Sequence, residues 1–397
     1  MRRSAPVLLA VGLTGVMVAG CARTAAPPPE TMIPLVPPAD LPVSTPAPTT
    51  TQAPSSDPND PIIGTVPDLE CAFGAQLVGG EITFVVGDRV IGTSLDGEQV
   101  RCLTTLRPEQ RGPISWSPRT DRALLNTAYV LDTEGIRQTG FDASNTRVRW
   151  ELPAGTALFA PTSSGRTLVR RDAADATRSE ITFLERTTAA TWIPAGTGIL
   201  AAGEDDGVSG IWLDRVVTDG DPQALVTLAD DDTEIAEIAV DGGGDAVYLI
   251  TVDDVSVDVL RVSLTELTVV ELFSEQAPSL QLTTGPVAGA LAWKVGLCNS
   301  VTTTRVRDQR SGAIVQVGVG TPLDGLSVGP VGWVDANRLV VIARPLGCDG
   351  PGDVWIWNLL DGSATLLVKF VEFPATRIVP EVPRAPIIPA TAPPTVL

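Results

Sequence analysis

The chain has 397 residues, with 47 acidic and 28 basic side chains, no histidine, and a formal net charge of −19 at pH 7. That balance argues against a nucleic-acid partner, whose phosphates are held by Lys and Arg. The missing imidazole removes Ser-His-Asp and Cys-His catalysis, histidine metal sites and the usual general base near neutral pH.

In chain order, the first element is a short apolar run. Arg2 and Arg3 precede Ala5 to Gly20, which carry no charge, and Cys21 follows. A basic start and a short apolar core predict an export signal over residues 1–20. The run is shorter than the ~20 apolar residues a membrane-spanning helix needs. Its end, Val18-Ala19-Gly20-Cys21, resembles the lipobox of bacterial lipoproteins, with Val where Leu is more usual. The resemblance implies that Cys21 carries a diacylglyceryl group and that the protein is tethered to the outer face of the cell membrane. The Arg pair lacks the rest of the twin-arginine pattern.

There are five cysteines, Cys21, Cys71, Cys102, Cys298 and Cys348. Acylation of Cys21 leaves four, which outside the cytoplasm suggests two disulfides. Local pairing would join Cys71 to Cys102 and Cys298 to Cys348, although four cysteines permit three connectivities. Without histidine or a C-x-x-C pair, a zinc site is not expected. Residues 21–61 read as a disordered linker rich in Pro, Ser and Thr, too poor in large apolar side chains to offset ordering entropy. As polyproline II at ~3.1 Å per residue it would reach up to ~120 Å. Residues 374–397 read as a similar Pro-rich tail.

Residues 62–373 carry a strand signal. "EITFVVG", "RALLNTAYVL", "GRTLVRR", "EITFLER", "GILAAG", "AVYLITV", "VDVLRVSL", "RLVVIAR" and "DVWIWNL" are short, rich in Val, Ile, Thr and Leu, and bounded by Gly, Asp or Pro. The segments "WELPAGTALFAP" and "WIPAGTGILAAG" are near-copies starting at Trp150 and Trp192. Turns recur at Asp96-Gly97, Asp142 to Thr146, Glu185 to Thr188, Gly220, Glu266, Ser311-Gly312 and Asp361-Gly362, about 44 residues apart, the length of one four-stranded blade. The expectation is an all-β, seven-bladed β-propeller, or a six-bladed one because the 185-to-220 interval is short.

Three short stretches carry resemblances. "SWSPRTDRALL" from Ser115 is similar to the Trp-Ser-Pro-Asp-Gly blade start of TolB-like and WD-type propellers, and "GWVDANRLVVIA" from Gly332 is a degenerate copy. "FDASNTRVRW" from Phe141 resembles the repeat of quinoprotein-like propellers without its Gly. The TolB-like resemblance implies a protein partner in the cell envelope rather than a substrate. The quinoprotein resemblance would imply a quinone, but the polar residues such a site needs are not evident, so no cofactor is expected.

Charge is unevenly spread. Residues 204–258 hold 16 acids and one basic residue, Arg215, whereas 101–178 hold 12 Arg and 8 acids. The acidic stretch reads first as solvated hairpin tips. As a docking face for a basic partner, its candidates are Asp230, Asp231, Asp232 and Glu234. As a calcium site it offers Asp219, Asp221 and Asp230 to Asp232, without a known calcium-loop pattern, and no metal is expected. Of eight tryptophans, Trp355 and Trp357 share a strand face, and Trp150 and Trp192 hold equivalent positions, which suits packing between blades. The sequence therefore predicts an acylated envelope scaffold without enzymatic activity, bound to the membrane by its lipid and to a protein partner. The alternatives are a propeller that hydrolyses or binds carbohydrate through carboxylates, and a calcium-stabilised scaffold.

Overall fold

The computed structural model describes residues 61–379, apart from 64–65, 67, 146, 153, 163, 182–183, 194–197, 215–221, 229–233, 253–255, 276–279, 297–300 and 348, together with 388, 395 and 396. The described residues form strands joined by short turns. The first three are β1 (Glu81–Val86), β2 (Arg89–Ser94) and β3 (Val100–Thr105). Five separate antiparallel meanders follow, each a sheet in chain order. They are β4 (Ile114–Trp116), β5 (Ala123–Leu125), β6 (Tyr129–Asp132) and β7 (Gly135–Gln138); then β8 (Arg149–Trp150), β9 (Ala157–Pro161), β10 (Leu168–Asp172) and β11 (Arg178–Ile181). Next come β12 (Arg186–Trp192), β13 (Ile199–Asp205), β14 (Val208–Asp214) and β15 (Gln223–Thr227), and β16 (Glu234–Val240), β17 (Ala246–Val252), β18 (Val257–Ser263) and β19 (Val269–Glu275). The fifth is β20 (Leu280–Thr284), β21 (Leu291–Val295), β22 (Thr303–Arg307) and β23 (Ile314–Gln316). Last are β24 (Ser327–Trp333), β25 (Arg338–Arg344), β26 (Gly352–Asn358), β27 (Ala364–Arg377) and the short β28 (Thr395–Val396).

The burial pattern explains the short apolar runs. Second strands such as β13, β17 and β25 are buried at nearly every position, because each sheet packs on a neighbour at both faces, so they read as continuous Val/Ile/Leu/Ala rather than alternating. Outer strands such as β23 are exposed throughout. First strands contact one another in a circuit: β27 with β4, β12 with β16, β16 with β20, β20 with β24, and β24 with β27. Two steps remain: Trp150 Nε1 links β8 to β4 by donating to the Ser115 carbonyl at 3.0 Å, and β12 meets the sheet of β8 through β9. Sheets arranged radially around such a circuit are a β-propeller.

The seven, or alternatively six, separate blades expected from turn spacing need correction. Five sheets stand alone, and seven strands share one sheet in the order β24-β25-β26-β27-β1-β2-β3. The physical reason is the length of β27, 14 residues. Its first half pairs with β26 and its second half with β1, Glu81 opposite Arg377. It runs four residues into the segment expected to be tail. The tail's later residues also rest on the domain: β28 pairs parallel with β15, and Ile388 packs against the cluster holding Ile193, Leu264 and Leu267.

Several turns also differ. "RALLNTAYVL" breaks at Asn126 and Thr127, both with positive φ, into β5 and β6, and "EITFLER" divides between the end of β11 and the start of β12. The turns at 96–97, 266, 311–312 and 361–362 join third to fourth strands, as equivalent positions should. Those at 142–146 and 185–188 instead lie where one sheet leads into the next. Antiparallel meanders put these two kinds of connection at opposite ends of the strands. The links between sheets, with the second-to-third turns, form one face of the ring, here the link face. The first-to-second and third-to-fourth turns form the other, the turn face.

Candidate functional site

The tryptophans are structural. Seven of the eight are buried, and the eighth, Trp116, is half-buried. Trp116, Trp150, Trp192 and Trp333 each end a first strand. Three of them bond to the preceding blade position: Trp116 Nε1 to Thr83 Oγ1 at 2.8 Å, Trp150 to Ser115, and Trp333 Nε1 to the Thr283 carbonyl at 3.3 Å. Trp355 and Trp357 share one core cluster, as their spacing predicts.

Polar chemistry collects on the link face and inside the ring. Ser164, Arg166, Glu185, Arg186, Glu204 and Asp205 line a cavity of about 740 Å³ between the second and third separate sheets. Glu185 and Arg186 come from the link into β12, while Arg166 and Asp205 come from second-to-third turns. Arg186 also faces Glu234 at 3.5 Å, with side chains 58% and 52% exposed. Arg149 on β8 comes within 3.9 Å of Glu237 on β16. Those strands belong to sheets separated by a third, so this pair reaches across the central channel. Burial pushes the Glu237 carboxyl above its ordinary range, and the Arg149 charge partly offsets that.

Of the expected docking residues, Glu234 opens β16 on this face. Asp230, Asp231 and Asp232 lie outside the described residues, as do Asp219 and Asp221. Among the described residues, no three His, Cys, Asp or Glu side chains gather to hold a metal. Cys71 and Cys102 form a disulfide with Cα atoms 4.4 Å apart. Cys21, Cys298 and Cys348 lie outside the described residues. No helix among the described residues is long and apolar enough to cross a membrane.

Sequence reasoning missed a second cluster where the ring closes. Glu81 on β1 accepts from Arg101 at 2.8 and 2.6 Å and from Arg377 at 3.0 Å. Arg377 and Glu81 are fully buried. Arg377 also donates to the carbonyls of Thr120 and Gly74, each at 2.8 Å, and its guanidinium lies 4.0 Å over the Trp116 ring. Gly92 is required here, because a Cβ would sit 1.8 Å from Glu81 Oε1. The only sequence signal was a charged residue at each end of two apolar runs almost 300 positions apart.

The class of protein is thus a β-propeller, defined by strand order and the closed circuit of first strands. No family model matches the chain, and no curated protein sequence matches it. Solved structures do. TolB from Acinetobacter baumannii is 14% identical over 77% of this chain and 67% of its own, with a TM-score of 0.42. Puromycin hydrolase is 14% identical over 79% of this chain and 56% of its own, TM-score 0.49. A prolyl endopeptidase structure is 13% identical over 73% and 50%, TM-score 0.48. These likenesses concern fold alone. Because they include a hydrolase and an endopeptidase, the expectation that this chain is not an enzyme is withdrawn.

Proposed function

We propose that the protein is a propeller held in the cell envelope by acylated Cys21 and that it serves as a binding platform for another protein. Its seven-stranded sheet counts as two blades sharing β27, which makes seven blade positions around the channel. Cys298 and Cys348 pair as a second disulfide, as local pairing of the four remaining cysteines suggests. The observation that carries the reading is the placement of charge. Glu185, Glu204, Asp205, Asp206 and Glu234 fall on one face of the ring, next to a cavity, where an acidic field steers a basic partner.

The test is chemical crosslinking in native cells, with affinity recovery and mass spectrometry, beside a variant carrying D230N, D231N and D232N. One abundant partner, lost in the variant, supports the platform and its acidic face. Recovery of no protein sinks the platform reading and moves attention to hydrolase assays. Metabolic labelling with a fatty-acid analogue tests the anchor: label lost in C21S is expected, and label retained in C21S would refute it.

A further inference from the structure

We propose that the link face is the docking face, that Phe370 and Leu346 are its apolar anchors, and that the docking segment of the partner is basic and amphipathic. This rests on the platform reading above.

Three observations converge. First, the chain covers the turn face with its own ends. Phe73 stacks on Trp116 with centroids 6.1 Å apart, Gln76 donates to the Arg377 carbonyl at 2.6 Å and accepts from Thr120 Oγ1, and Ile388 packs beside Ile193, Leu264 and Leu267 at the turn-face ends of their strands. Second, Phe370 is 76% exposed with φ 56°. A bulky side chain in that region is strained, and such strain persists where surrounding structure or function demands it. Phe373 also has positive φ, 48°, but it packs against the cluster of Val85, Leu103 and Leu125. Phe370 has no such compensation within the described residues. Its N–H is held by Asp353 Oδ1 at 3.1 Å, which fixes the turn that presents the ring.

Third, the same face carries further apolar groups and the acids. Leu346 is 60% exposed in the link-face turn after β25, and Val319 is 63% exposed between β23 and β24. Opposite them around the ring stand Glu204, Asp205 and Glu234. A surface apolar on one side and acidic on the other complements a segment bearing both apolar and basic side chains. An anionic lipid surface would meet repulsion from those acids.

The test uses purified full-length protein and a labelled 18-residue amphipathic Leu/Lys peptide, with binding read by fluorescence anisotropy. The comparison probes are the same peptide with Glu in place of Lys, and phosphatidylglycerol vesicles. The variant is F370N/L346S, because Asn tolerates positive φ and should hold the turn. V78S changes a residue 98% exposed in the segment that leads into β1 at the turn face and is the control. The expected result is Leu/Lys binding that weakens at least tenfold in F370N/L346S, is unchanged in V78S, falls with added salt, and exceeds Leu/Glu binding at least tenfold; a loss of that size is typical of an interface hot spot. Thermal melting of F370N alone should match or exceed that of the parent, which a purely structural Phe370 would not allow. Equal binding by F370N/L346S, equal loss in V78S, equal Leu/Glu binding, no peptide binding, or vesicle binding lost through Phe370 would each overturn the proposal. If cellular crosslinking still recovers a partner with F370N/L346S, the platform reading stands and the link-face assignment falls. If it recovers none from the parent, the platform itself falls.

Discussion

Two Arg–Glu pairs join neighbouring strands of this ring, one within a sheet between β27 and β1 and one between the first strands β12 and β16 of adjacent sheets, and they do opposite work. Arg377 and Glu81 are fully buried at the closure, whereas Arg186 and Glu234 are about half exposed on the link face. In the first pair, each group removed from water is answered by several partners: Arg101 on the same carboxylate, two backbone carbonyls and an aromatic face. In the second, solvent screens the attraction and the side chains remain free to change partner. Burial, rather than residue type, separates a lock from a surface.

The largest break in that contrast comes from removing the second half of β27. A chain ending at residue 373 should fail to fold, read as loss of the cooperative melting transition, because β1 loses its neighbour and Glu81 is left without Arg377. Full-strength melting of that truncation would show that closure does not depend on β27. R377A should cost about 3–5 kcal/mol in denaturant unfolding, the usual result of leaving half of a buried ion pair. C71S/C102S closes no loop of 31 positions and should cost about 3–4 kcal/mol in the chain-entropy model.

Smaller differences sharpen it. Trp150 and Trp192 hold equivalent places, yet Trp150 Nε1 has a bond to Ser115 and Trp192 Nε1 is buried without one among the described residues. W150F should therefore destabilise by about 1 kcal/mol more than W192F, the net worth of one hydrogen bond. E234Q should change stability by less than about 1 kcal/mol, as exposed pairs do. Glu237 adds a pH dependence. Its folded carboxyl is raised by burial, so the folded state binds its proton more tightly than the unfolded chain. Stability from this group is greatest below the ordinary carboxylate range and declines as pH rises through the raised folded value. E237Q should remove that decline, visible as a flatter stability profile as pH rises above the ordinary carboxylate range; a profile identical to the parent would place the Glu237 carboxyl in water.

Much of the architecture was legible in sequence because it is written locally. Short β-rich runs, the Trp150/Trp192 repeat and the turns at Asp96, Glu266, Ser311 and Asp361 all depend on residues within one sheet. The reading faltered where one strand serves two neighbours. β27 merges sheets that spacing separates, and Pro374 concealed three further strand residues, Ala375 to Arg377. It faltered again at Asp142 and Glu185, whose turn chemistry resembles that of the hairpins although they lie on the opposite face.

The candidate site divides the same way. Composition showed an acidic stretch around Glu234, and cysteine spacing suggested the Cys71–Cys102 bridge. Neither could show that Arg149 reaches Glu237 across the channel, that Arg186 meets Glu234, or that Phe370 points outward while Phe373 packs inward. By itself, the sequence determined the strand-rich class, the repeat length and the charge asymmetry, because periodicity and composition are properties of short segments. Only the tertiary structure decided where the ring closes, which charges are buried and which face is left open, because each depends on contacts between residues far apart in the chain.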